Sequence, residues 1–477
     1  MKKYFLMAAA LLLGAVCMVS CGDDDVETPG GNDPINPDVT PANEVWAPAK
    51  QKQYLEDVGM EVNQVFNVED FRHYIELANY VGSHYGDDYD WDAVEDWGDG
   101  ILDGLMSELI RTDKKTENDE WTGGDGKIYR NVYNEFYDVY RSTILASNFR
   151  GHWTARNGKW TRTDADDLQF IFANKSGQQC VLSLATSGKV TKVHMFHYDE
   201  WKNYESEGND DWTNYVSNEY YDRTEYTLGV PEKIEVKLTE GDRMLVHQVM
   251  TTDLGSITNE EFDLSRSTLT FNSTTTFDNG YVITAENVKY APSSASLKTT
   301  ITKNQALLLT ATLSCGLSNV PARTLNDWYD LDDDELEDIF AKSNATAAFS
   351  LNVLGKVQLK GTISDLHKLV DYIDEANDND ENEQTFKNAL KKANGCLEAV
   401  IYYNGGTAKQ ATMGLEAIPD RWTDWEGHTY TEWYAEPTLY FPDGSSYSFE
   451  EYFNEDDFKD LIDAVEEQGE IAEDMWD

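Results

Sequence analysis

The sequence is short of positive charge, cysteine and long apolar runs, and each shortage excludes something. Its 477 residues hold 38 Lys and Arg against 88 Asp and Glu, a formal charge of −50. A surface this acidic repels nucleic-acid phosphates and anionic lipid headgroups, so neither is expected as a direct partner. There are five cysteines. Two of them, Cys17 and Cys21, fall at the end of the opening apolar stretch and leave Cys180, Cys315 and Cys396. Three thiols close at most one bridge, so no disulfide framework holds the fold. The contexts QQCVLSL and TLSCGLS give Cys180 and Cys315 the character of small buried apolar groups, not nucleophiles. A Gly-rich phosphate loop, a G-x-S-x-G elbow and an H-E-x-x-H pair are all missing. The sequence therefore points to no cofactor and to no catalysis.

What is present starts with an address. Lys2 and Lys3 precede an almost wholly apolar stretch from Phe5 to Val19, which is too short for a membrane span and has the form of a secretory signal. The stretch Met18-Val19-Ser20-Cys21 resembles the bacterial lipobox. That resemblance implies that residues 1–20 are removed and that Cys21 is acylated and becomes the new amino terminus. Gly22 and then Asp23, Asp24 and Asp25 follow. They resemble the acidic export signal of Bacteroidota surface lipoproteins. The implied location is the outer leaflet of the outer membrane, facing the exterior. The implied partner is the membrane, reached through acyl chains that contribute about 0.8 kcal/mol per buried CH₂. Loss of Lys2 and Lys3 takes the mature charge to −52.

Residues 22–47 carry Pro29, Pro34, Pro37 and Pro41, no Lys or Arg, and no apolar periodicity. Residues 21–47 are thus predicted to be a flexible tether, about 25–30 Å long as a coil. A helical domain is expected over 48–150. Tyr54, Leu55, Val58, Val62 and Val65 recur at helical spacing after Pro48, and Phe71, Tyr74, Ile75, Ala78 and Val81 do so after Asn67. Further helices are predicted from Asp92 and over Tyr129 to Ser147. At GHWTARNGKWTRT the period changes to two, and Asn157-Gly158 signals a hairpin. Residues 151–320 are predicted to form a large, meandering antiparallel sheet, interrupted by a polar-aromatic loop at NYESEGNDDWTNYVSNEYYDRTEY. Residues 321–477 are predicted to be a mixed hairpin and helix region. It holds a short acidic helix at Asp332–Phe340, helices near 365–376 and 384–393, and a last helix capped by Asn454 with Phe458, Leu461, Ile462 and Val465 facing inward. The fold class is α+β.

Metal chemistry finds little support. His194 and His197 are three residues apart on a predicted strand and so face opposite ways. Asp88, Asp90, Asp92, Asp96 and Asp99 match EF-hand loop spacing, but Ala93 stands where Gly is needed and Asp99 where the bidentate Glu belongs. DNDEN at 378–382 has only the first three positions. No metal site is expected.

Aromatics are the remaining lead. RWTDWEGHTYTEWYAE sets Trp422, Trp425, Tyr430, Trp433 and Tyr434 in polar surroundings. A second group, Trp201, Tyr204, Trp212, Tyr215, Tyr220 and Tyr221, falls in the predicted loop. Indole and phenol faces stack on sugar C–H faces, while nearby acids accept hydroxyl hydrogen bonds. The same rings would equally close sheet ends against helices. Trp422, Trp425, Tyr430 and Trp433 are the candidate glycan-binding residues of a non-catalytic surface protein. The partner would be a polysaccharide or a surface protein. Carriage of lipid or another hydrophobic ligand, a fimbrial or adhesin subunit, and a hydrolase are the alternatives.

Two outcomes are expected in cells. Cys21→Ala leaves a soluble or unprocessed species, and mass spectrometry of mature wild type finds acyl chains on Cys21. Replacing Asp23, Asp24 and Asp25 with Ala leaves acylation intact but protects the protein from protease applied to whole cells.

Overall fold

The computed structural model describes residues 40–85, 111–122, 128–145, 150–156, 159–205, 214–257, 259–263, 265–316, 318, 345–423, 425–454 and 457–476. Cys21, Asp23, Asp24 and Asp25 lie outside them, as do the stretch from Asp88 to Asp99, the helix expected from Asp92 and that at Asp332–Phe340.

Helix α1 (Pro48–Val65) starts on Pro48, whose fixed φ suits a first turn. Its predicted stripe holds: Val58 is buried, Tyr54, Val62 and Val65 pack in the same cluster, and Leu55 packs in the neighbouring cluster around Tyr403. Asn67 accepts the Glu69 N–H and caps a 3₁₀ turn (Val68–Phe71), which leads into α2 (Arg72–Tyr85). On α2 the buried residues are Leu77 and Val81, with Tyr74 packed against them, while Ala78 is exposed. Tyr74 and Val81 face inward as expected, and Leu77 takes the place expected for Ala78.

Strands follow. The first five are β1 (Arg111–Thr122), β2 (Ile128–Leu145), β3 (Gly151–Arg156), β4 (Lys159–Thr163) and β5 (Leu168–Ala173). Next come β6 (Gln179–Glu205), β7 (Asn214–Glu240), β8 (Arg243–Gly255), β9 (Thr268–Phe277) and β10 (Tyr281–Ala291). Then come β11 (Ser294–Lys303), β12 (Ala306–Gly316), β13 (Thr346–Val353) and β14 (Val357–Ile363). Helices α3 (Leu366–Asn377) and α4 (Glu383–Cys396) precede β15 (Leu397–Tyr403), β16 (Ala411–Thr423), β17 (Thr429–Tyr440) and β18 (Ser446–Ser448). The chain closes with α5 (Phe449–Tyr452) and α6 (Lys459–Trp476).

These strands form one 18-stranded sheet, so the architecture is α+β with the sheet dominant. From β5 to β18 each strand pairs antiparallel with the next, without a break across residue 320. Three expectations are corrected. Tyr129 to Leu145 is strand, not helix, and pairs with β1 and β7. Its Val132, Phe136, Val139, Tyr140 and Ile144 fit a helical period, but Tyr, Val, Phe, Thr and Ile are also strand formers, and here distant partners decide. The expected loop at 203–226 is largely strand, since β6 and β7 pair from Cys180↔Glu240 out to Glu205↔Val216. Its polar composition misled: a partner strand satisfies the backbone whatever the side chains are. The sheet is also not purely antiparallel, because β2 runs parallel to β7 and β3 parallel to β5.

Consecutive antiparallel turns fall on alternate edges. The proximal edge carries the turns β7–β8, β9–β10, β11–β12, β13–β14 and β15–β16. The N-terminal segment lies across all five in reverse order. Ala42 N–H donates to Tyr403 O, and Trp46 N–H to Gln410 Oε1 at 2.9 Å. Buried Gln51 donates to Trp46 O at 2.8 Å and Gln410 O at 3.1 Å, and accepts from the Tyr403 hydroxyl at 3.1 Å. Tyr54 bonds Asn404, and Lys356 bonds Glu61. Lys303 Nζ donates to Val65 O at 2.9 Å and to Asp70 Oδ2 at 2.5 Å. Asn279 donates to Asp70 O at 2.8 Å, Tyr74 to Asp278 at 2.5 Å, and His73 meets Glu240 at 3.3 Å. Helix α1 is about 27 Å long, enough to cross about six strands spaced ~4.8 Å apart. Gly406 allows the closest approach, since a Cβ there would lie 2.0 Å from Ala42 O. Gly280 takes φ +93° in the Asn279-Gly280 turn between β9 and β10.

Helix α6 runs alongside the same segment and in the same direction. Gln468 accepts from Val68 N–H at 2.9 Å, and Asn79 donates to Met475 O at 2.7 Å. Phe458 is buried at its start, and Leu461 and Ile462 are partly buried. Val465, expected to face inward, is exposed.

Tyr281 ties the middle of this crossing together. It is fully buried, with its hydroxyl 2.9 Å from Val65 O and 3.0 Å from Asp70 Oδ2. Tyr281→Phe is expected to cost about 1–2 kcal/mol, and Tyr281→Ala about 3–5 kcal/mol. Urea unfolding measures both, and an effect under ~0.5 kcal/mol for the alanine variant would contradict the packing described.

Candidate functional site

Strands β16 and β17 leave the sheet together. β15 pairs with β16 only from Ala399↔Met413 to Ile401↔Ala411, and β18 covers only Thr438 to Tyr440 of β17. Beyond that, β16 and β17 continue as a two-stranded ribbon to Thr423↔Thr429. Its base is held by the α3–α4 helical hairpin. Asn394 of α4 stands in for a missing strand: its amide donates to Leu415 O and accepts the Leu415 N–H, both at 2.7 Å. On the other edge, Trp433 N–H donates to Asp380 O at 2.8 Å. Between these clasps Phe386, Ala389 and Leu390 bury against Leu415, Ala417, Trp433 and Ala435. The DNDEN stretch serves this clasp. Asp380 lends its carbonyl, and Asn382 caps α4 by accepting the Thr385 N–H at 3.1 Å.

Period-two geometry divides the ribbon into two faces. The inward face carries Ala417, Pro419, Trp433 and Ala435, and Lys387 sits 4.6 Å from the Trp433 ring. The outward face carries Ile418 opposite Tyr434 and Trp422 opposite Tyr430. The Trp422 and Tyr430 rings stack at 4.6 Å with planes 21° apart, and each residue is 44% exposed. Trp425 is at the turn and 91% exposed, while Tyr434 is 43% exposed. The structure therefore brings three of the four candidates, Trp422, Trp425 and Tyr430, to one solvent-facing end. Trp433 is a structural residue on the opposite face. Tyr434 shares the face of Tyr430, two rows further from the turn. Counting in twos along each strand from Trp422 and Tyr430 selects Ile418 and Tyr434 and passes over Trp433, because the register pairs even positions with even ones.

The second aromatic group lies on strands, with Trp201 and Tyr204 on β6 and Tyr215, Tyr220 and Tyr221 on β7, while Trp212 is outside the described residues. His194 is partly buried on β6, and its N–H donates to Glu260 O. Cys180 is buried, and that burial first, then the charge of Glu240, pushes its thiol up to about 11. Cys315 and Cys396 are partly buried, and no two of these three thiols are bridged. Among the described residues no cluster of three or more His, Cys, Asp or Glu is placed to hold a metal. No described helix is long and apolar enough to cross a membrane. A concavity of about 310 Å³ at the β6 bulge is lined by Ser187, Glu232, Lys233, Thr251, Asp253 and Asn272. No model of a known protein family matches the chain, and no curated protein or solved structure does either.

Opposite faces give opposite mutational signatures. Trp433→Ala removes the packing of α4 and is expected to cost about 2–3 kcal/mol. Trp422→Ala loses only one cross-strand pair, at most about 1 kcal/mol. Thermal melts of the two variants compare them directly, and equal losses would contradict the two-faced ribbon.

Proposed function

We propose that the protein is a lipid-anchored cell-surface protein that binds glycan, without catalysis, through the outward face of the β16–β17 ribbon. The observation that carries this is the group of exposed rings at its tip, with Trp425 at 91% and Trp422 and Tyr430 at 44% each. Indole left in water forgoes the transfer free energy that burial would give, so three large rings on one exposed tip mark a contact surface. Their neighbours are hydroxyls and acids, the partners that sugar hydroxyls need.

Position supports the same reading. The chain joins the fold at Ala42, beside the β15–β16 turn on the proximal edge. β16 then runs 13 residues away from that turn, so the tip stands about 40 Å beyond it. A tether leading to a membrane would hold the proximal edge inward and present the tip outward. The formal charge of −50 disfavours nucleic acid as the ligand.

Trp422→Ala and Trp425→Ala are each expected to weaken retention in neutral polysaccharide gels about tenfold, the equivalent of ~1.4 kcal/mol. Their thermal midpoints stay close to wild type. A glycan array on which wild type binds nothing would reject this function.

A further inference from the structure

The outward face of the ribbon carries charge as well as rings, in a regular order. Glu416 stands directly opposite Glu436, and Asp420 directly opposite Glu432. The aromatic pair Trp422 and Tyr430 and the pair Ile418 and Tyr434 alternate with these acid pairs. Successive rows are about 6.8 Å apart, so the four rows extend over about 20 Å. Like charges facing each other across a strand pair oppose pairing. The ribbon thus holds two acid–acid rows that do nothing for its own stability. No Lys or Arg occupies any of these eight positions, and Arg421 falls on the alternate side. The Tyr434 phenol registers the resulting field. Burial first, then the charges of Glu436, Glu450 and Asp420, hold it above its usual range.

We infer that this face is a linear site for an uncharged polysaccharide chain and that it rejects uronate or sulfated chains. The inference rests on the glycan reading above and narrows its ligand class. An ionised carboxylate only accepts hydrogen bonds, so it takes the O–H of a neutral sugar and repels an anionic substituent. The aromatic rows stack on sugar C–H faces, and the acid rows between them take the hydroxyls at the ring edges.

Affinity electrophoresis separates the outcomes. The probes are galactomannan and hydroxyethylcellulose as neutral chains and polygalacturonate as an anionic one. Wild type is expected to be retarded by a neutral gel and to run freely through polygalacturonate. The variant E416Q/D420N/E432Q/E436Q removes the repulsion, so it should fold at least as well as wild type, as a circular-dichroism melt will show. Its retention by the neutral gel is expected to fall tenfold or more, and its exclusion from polygalacturonate to be lost. Tyr434→Ala is expected to weaken neutral-gel retention at least threefold. Wild type bound by polygalacturonate as well as by neutral chains, with both lost in Trp422→Ala, would overturn the selectivity while leaving glycan binding in place. A neutralised variant that behaves as wild type on all gels would do the same. Wild type retarded by no gel would overturn both.

Discussion

One crossing contact organises the molecule: residues 42–81 lie over the proximal ends of the strands. An 18-stranded sheet tends to twist and fray, because each strand is held mainly by its two neighbours. A segment that touches the turns from β15–β16 back to β7–β8 fixes the relative positions of strands that never pair. Its central polar groups are buried, with Gln51, Tyr281 and Tyr403 at 1%, 0% and 0% exposure, so each must be matched or its desolvation is uncompensated. The contacts join residues separated by 160 to more than 360 positions along the chain. The chain therefore has to supply its last strands before its first helix can settle, and pairings this distant favour slow folding.

The two edges of the sheet have different constraints. On the proximal edge the turns are short and each meets the N-terminal segment, so their lengths and side chains are fixed by packing. On the distal edge the β10–β11 turn is short but other excursions are long: the β6–β7 hairpin, the β8–β9 connection, the α3–α4 insertion and the β16–β17 ribbon. Nothing comparable crosses these among the described residues. Loops on a rigid scaffold are where binding surfaces usually arise. The ribbon fits that pattern with an addition, because α4 clamps its base at Leu415 and Trp433 and leaves only the last turn free of support.

Much of the fold was legible where local signals agreed. Pro48, Asn67, Asp365 and Asn382 each stand at a helix start, and the Asn279-Gly280 and Asp443-Gly444 turns join strands. Legibility failed where the deciding partner was distant. Tyr129 to Leu145 carries both periods, and only β1 and β7 select the extended form. The candidate site was legible by composition, not by face. Aromatic density groups Trp422, Trp425, Tyr430 and Trp433 together, but density ignores parity, and the register puts Trp433 on the other face from Trp422 and Tyr430. The acid rows were invisible among 88 carboxylates until the register set Glu416 against Glu436.

The point at which the chain enters the fold also sets how the molecule bears mechanical load. Any pull transmitted through the segment before residue 42 first meets the Ala42–Tyr403 bond and the Asn43–Thr407 contact. Behind these, the Trp46 ring is wedged against Tyr54 and Tyr403 at 5.1 and 5.2 Å, with Lys50 over its face at 3.7 Å. Tyr403 ends β15, which is flanked by β14 and β16, so the force enters an interior strand and not the margins at β4 or β18. A marginal strand unzips one bond at a time. An interior strand gripped on both sides shares the tension between two ladders, so a molecule towed by this end in a flowing medium would yield last where it is held.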